Sequence, residues 1–359
     1  MTAAPTALAI AVAARVPVLL WGAPGTGKSS VVRDLARAMD WPCEVVIASI
    51  REPSDFAGLP VVIDGGVRFA PPSWATNLVE SGHGVLFLDE ISTAPPAVQA
   101  ALLRVVLERT VGDISLPDDV VVVAAANPPD QAADGWDLSA PLANRFCHLD
   151  WIVDASSVAA GFVTGFDAPD AADLPTNWVN HIARAKGDVA AFLAIRPGLV
   201  SAPPTDRASA GRAWPSPRTW EMTATLLAAT RVSDASADVQ AALVAGCVGR
   251  GPGIEFLSWL SELDLPDPEL VLADPTTFEV PDRGDRAYAV LISVASAVAS
   301  NPTADRWDAA WQVMGAASQS IPDVAALAAR MLVRCRPEGA AAPPEAAELL
   351  PLLRDAGLV

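Results

Sequence analysis

The clearest chemistry in the chain lies in VPVLLWGAPGTGKSS, residues 16–30. Gly22-Ala23-Pro24-Gly25-Thr26-Gly27-Lys28-Ser29 fills every fixed position of G-x-x-x-x-G-K-[ST]. Glycines let backbone N–H groups turn inward around phosphate oxygens, and the helix that follows from Ser30 points its positive end at them. Lys28 is placed to reach the β- and γ-phosphates, and the Ser29 hydroxyl to ligate Mg²⁺. The chain holds two lysines, Lys28 and Lys186, and one occupies the required slot. The pattern predicts a site for a nucleoside triphosphate.

Two further stretches carry matching chemistry. GVLFLDE, residues 84–90, is an apolar run ending in two carboxylates. A strand ending there sets Asp89 and Glu90 at the carboxyl edge of a sheet, beside the phosphate loop. Asp89 would hold Mg²⁺ through water, and Glu90 would orient and deprotonate an attacking water. The apolar run 120–126 stops at Asn127, whose amide could bond both the γ-phosphate and that water without adding charge. Taken singly, the acid pair could be solvated punctuation and the asparagine a turn residue.

These groups need a sheet to position them. Residues 16–21, 43–49, 84–90, 120–126 and 147–153 read as short buried strands, and residues 6–15, 74–80, 97–109 and 140–146 as helices. Between the second and third strands, VVID and VRFA flank Gly65-Gly66, the signature of a hairpin. Beyond Asp154 strand runs disappear, and Ala-rich helical patterns separated by proline-rich breaks continue to a terminal helix at 346–356. The expected fold class is α/β: a five-stranded parallel sheet over residues 1–155 with an insertion at about 51–73. An α-helical lid would cover 156–290, and a helical extension 291–359.

Composition bounds the rest. At 359 residues with 52% apolar, two or three domains are expected. The formal charge is −18, which repels nucleic-acid backbone and anionic membrane, and no compensating basic patch is visible. Cys43, Cys147, Cys247 and Cys335 lack metal-ligand spacing, as do His83, His148 and His181. The apolar N-terminus imitates a signal peptide but lacks a basic region and runs into the strand that feeds the phosphate loop. A cytoplasmic protein with no membrane span is expected.

Together GAPGTGKS, FLDE, AANP and LANRF resemble an AAA+ ATPase, and REPSDFAGLP with GGVRFAPPSWA resembles the helix-2 insertion of the MoxR and dynein-related (AAA_5) clade. DEISTAPPAVQAALLRVVLE is similar to the MoxR pattern, whereas PPDQAADGWDLSAPLANRF departs from it. The resemblance covers residues 1 to about 225. It implies ATP and Mg²⁺ as cofactors and Asn127 as sensor 1. Arg145 in LANRF would be a finger reaching the neighbouring subunit's γ-phosphate. Arg218 in WPSPRTWEM would be sensor 2, opening a lid helix and touching its own subunit's nucleotide. It further implies a homo-oligomeric ring, a hexamer, that remodels or matures a protein client, including one bearing a von Willebrand factor A domain. Rival readings are a nucleotide-dependent assembly switch, a DNA-acting motor and a small-molecule phosphotransferase.

Overall fold

The computed structural model describes residues 3–128, 136–166, 168–263 and 265–355. Five short strands form one parallel sheet: β1 (Val18–Trp21), β2 (Cys43–Ile47), β5 (His83–Asp89), β8 (Asp119–Ala126) and β9 (Cys147–Asp150). Their order is β2-β5-β8-β1-β9. Every residue of β1, and β8 from Val120 onward, is buried. Such continuous apolar runs are what a strand covered on both faces requires. Register places Trp21 opposite Ala126, and Ile47 opposite Asp89. The chain therefore leaves β1, β5 and β8 along one edge, where ligands gather in open α/β sheets.

Helices α1 (Ala3–Ala13), α2 (Lys28–Ala38), α4 (Ser73–Ser81) and α5 (Pro96–Glu108), with the short α3 (Ser54–Ala57) and α6 (Ala140–Ala143), complete the sheet region. The core on one face joins Leu19 and Trp21 to Phe56, Trp74, Leu102 and Phe146.

Inserted before α4, β3 (Leu59–Ile63) and β4 (Gly66–Ala70) pair as an antiparallel hairpin. Its turn residues are Asp64 and Gly65, at φ 52° and 76°, while Gly66 pairs with Ile63 as the first residue of β4. The expected Gly65-Gly66 turn is thus displaced by one residue. Two consecutive left-handed residues match the strand twist, and Asp-Gly supplies them. Val62 and Val67, which pair across the hairpin, are 77% and 62% exposed. A second small hairpin, β6 (Thr110–Val111) with β7 (Ile114–Ser115), backs the first: Asp113 N donates to Phe69 O at 3.0 Å.

Helices follow to the end: α7 (Ala155–Thr164), α8 (Ile182–Ile195), α9 (Arg207–Ala210), α10 (Pro217–Val232), α11 (Ala237–Val248) and α12 (Arg250–Leu263). Then come α13 (Pro268–Ala273), α14 (Gly284–Ser300), α15 (Ala304–Ser318), α16 (Pro322–Arg334) and α17 (Pro344–Asp355). The chain groups into two compact units, Met1–Leu174 with Ser201–Ile254, and Pro175–Val200 with Glu255–Val359. These units do not follow the cuts expected near 155 and 290.

The physical reason is close packing within each unit. In the first, α11 lies so near β9 that a Cβ on Gly246 would come within 2.4 Å of His148 O. In the second, α8 approaches α14, with a Cβ on Gly187 only 3.2 Å from Ser293 Cα. The second unit has its own core around Trp307, Trp311, Met314 and Leu332. No helix among the described residues is long and apolar enough to cross a membrane.

Candidate nucleotide-binding site

The loop after β1 takes the conformation its glycines allow. Gly25 and Gly27 adopt φ of 76° and 85°, left-handed values that favour glycine. Helix α2 begins at Lys28. Thr26 Oγ1 donates to Ala23 O at 2.8 Å, and Gly22 N donates to Ala126 O at 3.2 Å. Pro24 lies between these anchored residues, and Ser30 falls within the first turn of α2.

Lys28 is buried, and its Nζ donates to Gly22 O (2.6 Å), Ala23 O (2.9 Å) and Asn127 Oδ1 (3.1 Å). Burial lowers its pKa from the ordinary lysine value, and Asp89 opposes that shift. Ser29 Oγ donates to Asp89 Oδ2 at 2.6 Å. The ends of β1, β5 and β8 therefore deliver Lys28, Ser29, Asp89 and Asn127 to one place.

The Glu90 side chain stands apart from that network, although its backbone N donates to Asp89 Oδ1 at 3.0 Å. Glu90 adopts φ 57°, and its Oε2 accepts from Ser49 Oγ, just beyond β2. Ser92 fixes the neighbouring strand end: its Oγ accepts from Asn127 N at 3.3 Å. Neither serine carries a motif in the sequence. Only the side-by-side alignment of β2, β5 and β8 makes them visible.

Arg145 and Arg218 are brought together. Asn144 Oδ1 accepts from Ser216 Oγ at 2.7 Å, and Asn144 Nδ2 donates to Trp214 O at 3.1 Å. Ser216 caps α10 by accepting from Thr219 N, and Thr219 Oγ1 accepts from Ser216 N in return. Arg218 is thus the second residue of a helix whose start is tied to the residue before Arg145. Burial lowers the Arg145 pKa, and the like charge of Arg218 lowers it further. Neither arginine makes an ion pair among the described residues. No hydrogen bond joins either to the phosphate loop there. The Ser-Pro-x-Thr start of α10 is a helix signal legible in sequence; its partnership with Asn144 is not. Residues 129–135, within the stretch where the MoxR pattern is broken, lie outside the described residues.

A family model described as "AAA domain (dynein-related subfamily)" matches residues 17–146, from the entry of β1 to the residue after Arg145. Residues 17–146 are an AAA domain of the dynein-related subfamily. The AAA domain accounts for about a third of the chain and contains the phosphate loop, the acid pair, Asn127 and Arg145.

Two curated relatives match a similar length. The Pathogenicity locus probable regulatory protein WtsA of Pantoea stewartii subsp. stewartii is 31% identical over 121 residues, 32% of this chain and 38% of that protein. The Sigma54-dependent transcriptional regulator SfnR of Pseudomonas fluorescens (strain Pf0-1) is 36% identical over 122 residues, 31% of this chain and 32% of that protein. The chain thus spans about a third of the length of the curated relatives it matches. Among solved structures, a candidate ATPase from Cytophaga hutchinsonii is similar over 70% of this chain and 78% of that one, with 20% identity and a TM-score of 0.40.

Proposed function

We propose that this AAA+ protein hydrolyses ATP in a homo-oligomeric ring and uses the cycle to remodel or mature a protein client. The observation that carries the reading is the convergence of Lys28, Ser29, Asp89 and Asn127 on one phosphate loop, with Glu90 one residue away. Bound ATP would replace the Gly22 and Ala23 carbonyls as partners of Lys28. Asn127 then faces the γ-phosphate, and Glu90 takes the proton of the attacking water after leaving Ser49.

The donor set fits Mg²⁺, because a hydroxyl and a carboxylate oxygen are hard ligands. Ser29 would hold the ion directly and Asp89 through water. When bound, Mg²⁺ neutralises charge on the β- and γ-phosphoryl oxygens.

Arg145 is the proposed finger for a neighbouring subunit's nucleotide. Its guanidinium donates to Pro141 O and makes no ion pair among the described residues, so its planar charge stays available to the transition state. Arg218, beside Arg145 at the start of α10, is the proposed sensor 2 for its own subunit's nucleotide. The exposed valines of the β3–β4 hairpin favour client contact at its tip. A MoxR-type partner with a von Willebrand factor A domain and a cytoplasmic setting belong to the same proposal. Regulators such as SfnR favour a second reading, in which the client is a transcription complex; the charge of −18 argues against direct grip on DNA.

Mixing inactive subunits tests the ring. Arg145→Ala and Lys28→Ala are each expected to be inactive alone, since a finger is worth about 10³–10⁵ in turnover. In mixed rings, interfaces pairing an intact loop with an intact arginine should restore part of the activity. Mixtures that assemble yet stay inactive refute action between subunits. Unchanged ATP affinity in Lys28→Ala refutes the phosphate loop itself.

A further inference from the structure

We infer that Trp151 is a positioning residue for the phosphate loop, clamping it at both ends. The inference rests on the nucleotide-binding reading of that loop and deepens it. Trp151 is the first residue after β9, where the chain leaves the sheet. Its backbone N donates to Trp21 O at 2.6 Å, at the entry of the loop. Its indole Nε1 donates to Thr26 O at 3.0 Å, one residue before the second fixed glycine, Gly27. Its own carbonyl closes over Gly22, where an added Cβ would lie 2.6 Å from Trp151 O and 3.1 Å from Trp151 Cβ. Gly22 is therefore required here by the closeness of Trp151, not by a left-handed φ.

The chemistry follows from which backbone groups a phosphate loop turns inward. N–H groups converge on the phosphates, so some carbonyls face outward and need donors elsewhere. Thr26 O is such a carbonyl, and Trp151 supplies its donor. The clamp is braced from behind. Arg212 lies 3.9 Å over the Trp21 ring and pairs with Asp150, the residue before Trp151, at 3.3 Å. Holding Thr26 in place lets the loop meet the phosphates already shaped, and a binding-competent population near unity avoids a loss of affinity.

The test compares wild type with Trp151→Phe, which keeps an aromatic body and removes the N–H. Calorimetry with ADP should show Kd raised about fivefold, the effect of losing one neutral hydrogen bond. With ATP, KM should rise by a similar factor while kcat at saturation stays within about twofold. A merely structural role would instead lower the active fraction and leave Kd and KM unchanged. If wild type binds ADP and Trp151→Phe binds equally well, the clamp is refuted while the nucleotide reading stands. If wild type does not bind ADP, both fall. Should the variant not fold, wild type selectively labelled with ¹⁵N-tryptophan at position 151 gives an independent answer. Its indole N–H should be protected from exchange and shift on adding ADP. Exchange at the rate of a free indole refutes the clamp.

Discussion

Lowering the pH should destabilise this protein through His148. The imidazole sits on β9, where its Nδ1 accepts from Trp21 Nε1 at 2.9 Å and its Nε2 donates to Ala143 O at 2.9 Å. Only the neutral ring tautomer can do both, because protonation would turn Nδ1 into a donor facing another donor. Burial holds its pKa down at about 4 against an ordinary value of 6.5; the bond to Ala143 O opposes that shift, and the Arg212 guanidinium adds a smaller lowering. Because the folded pKa is lowered, the unfolded chain takes up this proton first as pH falls. The His148 contribution is intact above about pH 6.5 and drains away towards pH 4. From those two pKa values the loss between pH 7.5 and pH 5 comes to about 2 kcal/mol. Urea unfolding followed by circular dichroism should be run at both pH values on wild type and His148→Gln. Carboxylates titrate alike in the two proteins, so the difference between their pH losses isolates the histidine. An equal loss in His148→Gln would refute the reasoning.

Glu90→Gln should retain ATP binding and lose about 10²–10⁴ in turnover, measured by phosphate release; wild-type turnover would assign the base to another residue. Asn144→Ala removes two hydrogen bonds of a buried side chain and should cost about 2 kcal/mol, a drop of about 4–8 °C in Tm. In a cycle with Ser216→Ala the double variant should fall about 1 kcal/mol short of the sum, whereas additive losses would deny the Asn144–Ser216 link. Val62→Ser with Val67→Ser on the hairpin should spare basal ATPase and weaken client-stimulated activity; loss of basal turnover would make the hairpin structural.

Much of the site was legible because its geometry is local. A left-handed glycine, a lysine and a serine at fixed spacing build a phosphate cradle within eight residues, whatever the rest of the chain does. The apolar runs ending in Asp89-Glu90 and in Asn127 likewise announced strands, since a strand buried on both faces has little alternative to Val, Leu and Ala. The Asp-Gly turn was displaced by one residue because hairpin register depends on which pairs close across the strands.

What the sequence could not express depends on groups far apart in the chain. Ser49 meets Glu90 across 41 residues, and Trp151 meets Thr26 across 125. Each is an ordinary serine or tryptophan until strand order sets β2 beside β5 and β9 beside β1. The same holds for Asn144 and Ser216, whose bond lays Arg145 against Arg218. The division of the helices also belongs to tertiary packing: glycines at 187 and 246 let helices approach closely, and no local pattern shows which surface they approach. Local backbone chemistry determined the cradle; strand order and close packing determined what surrounds it.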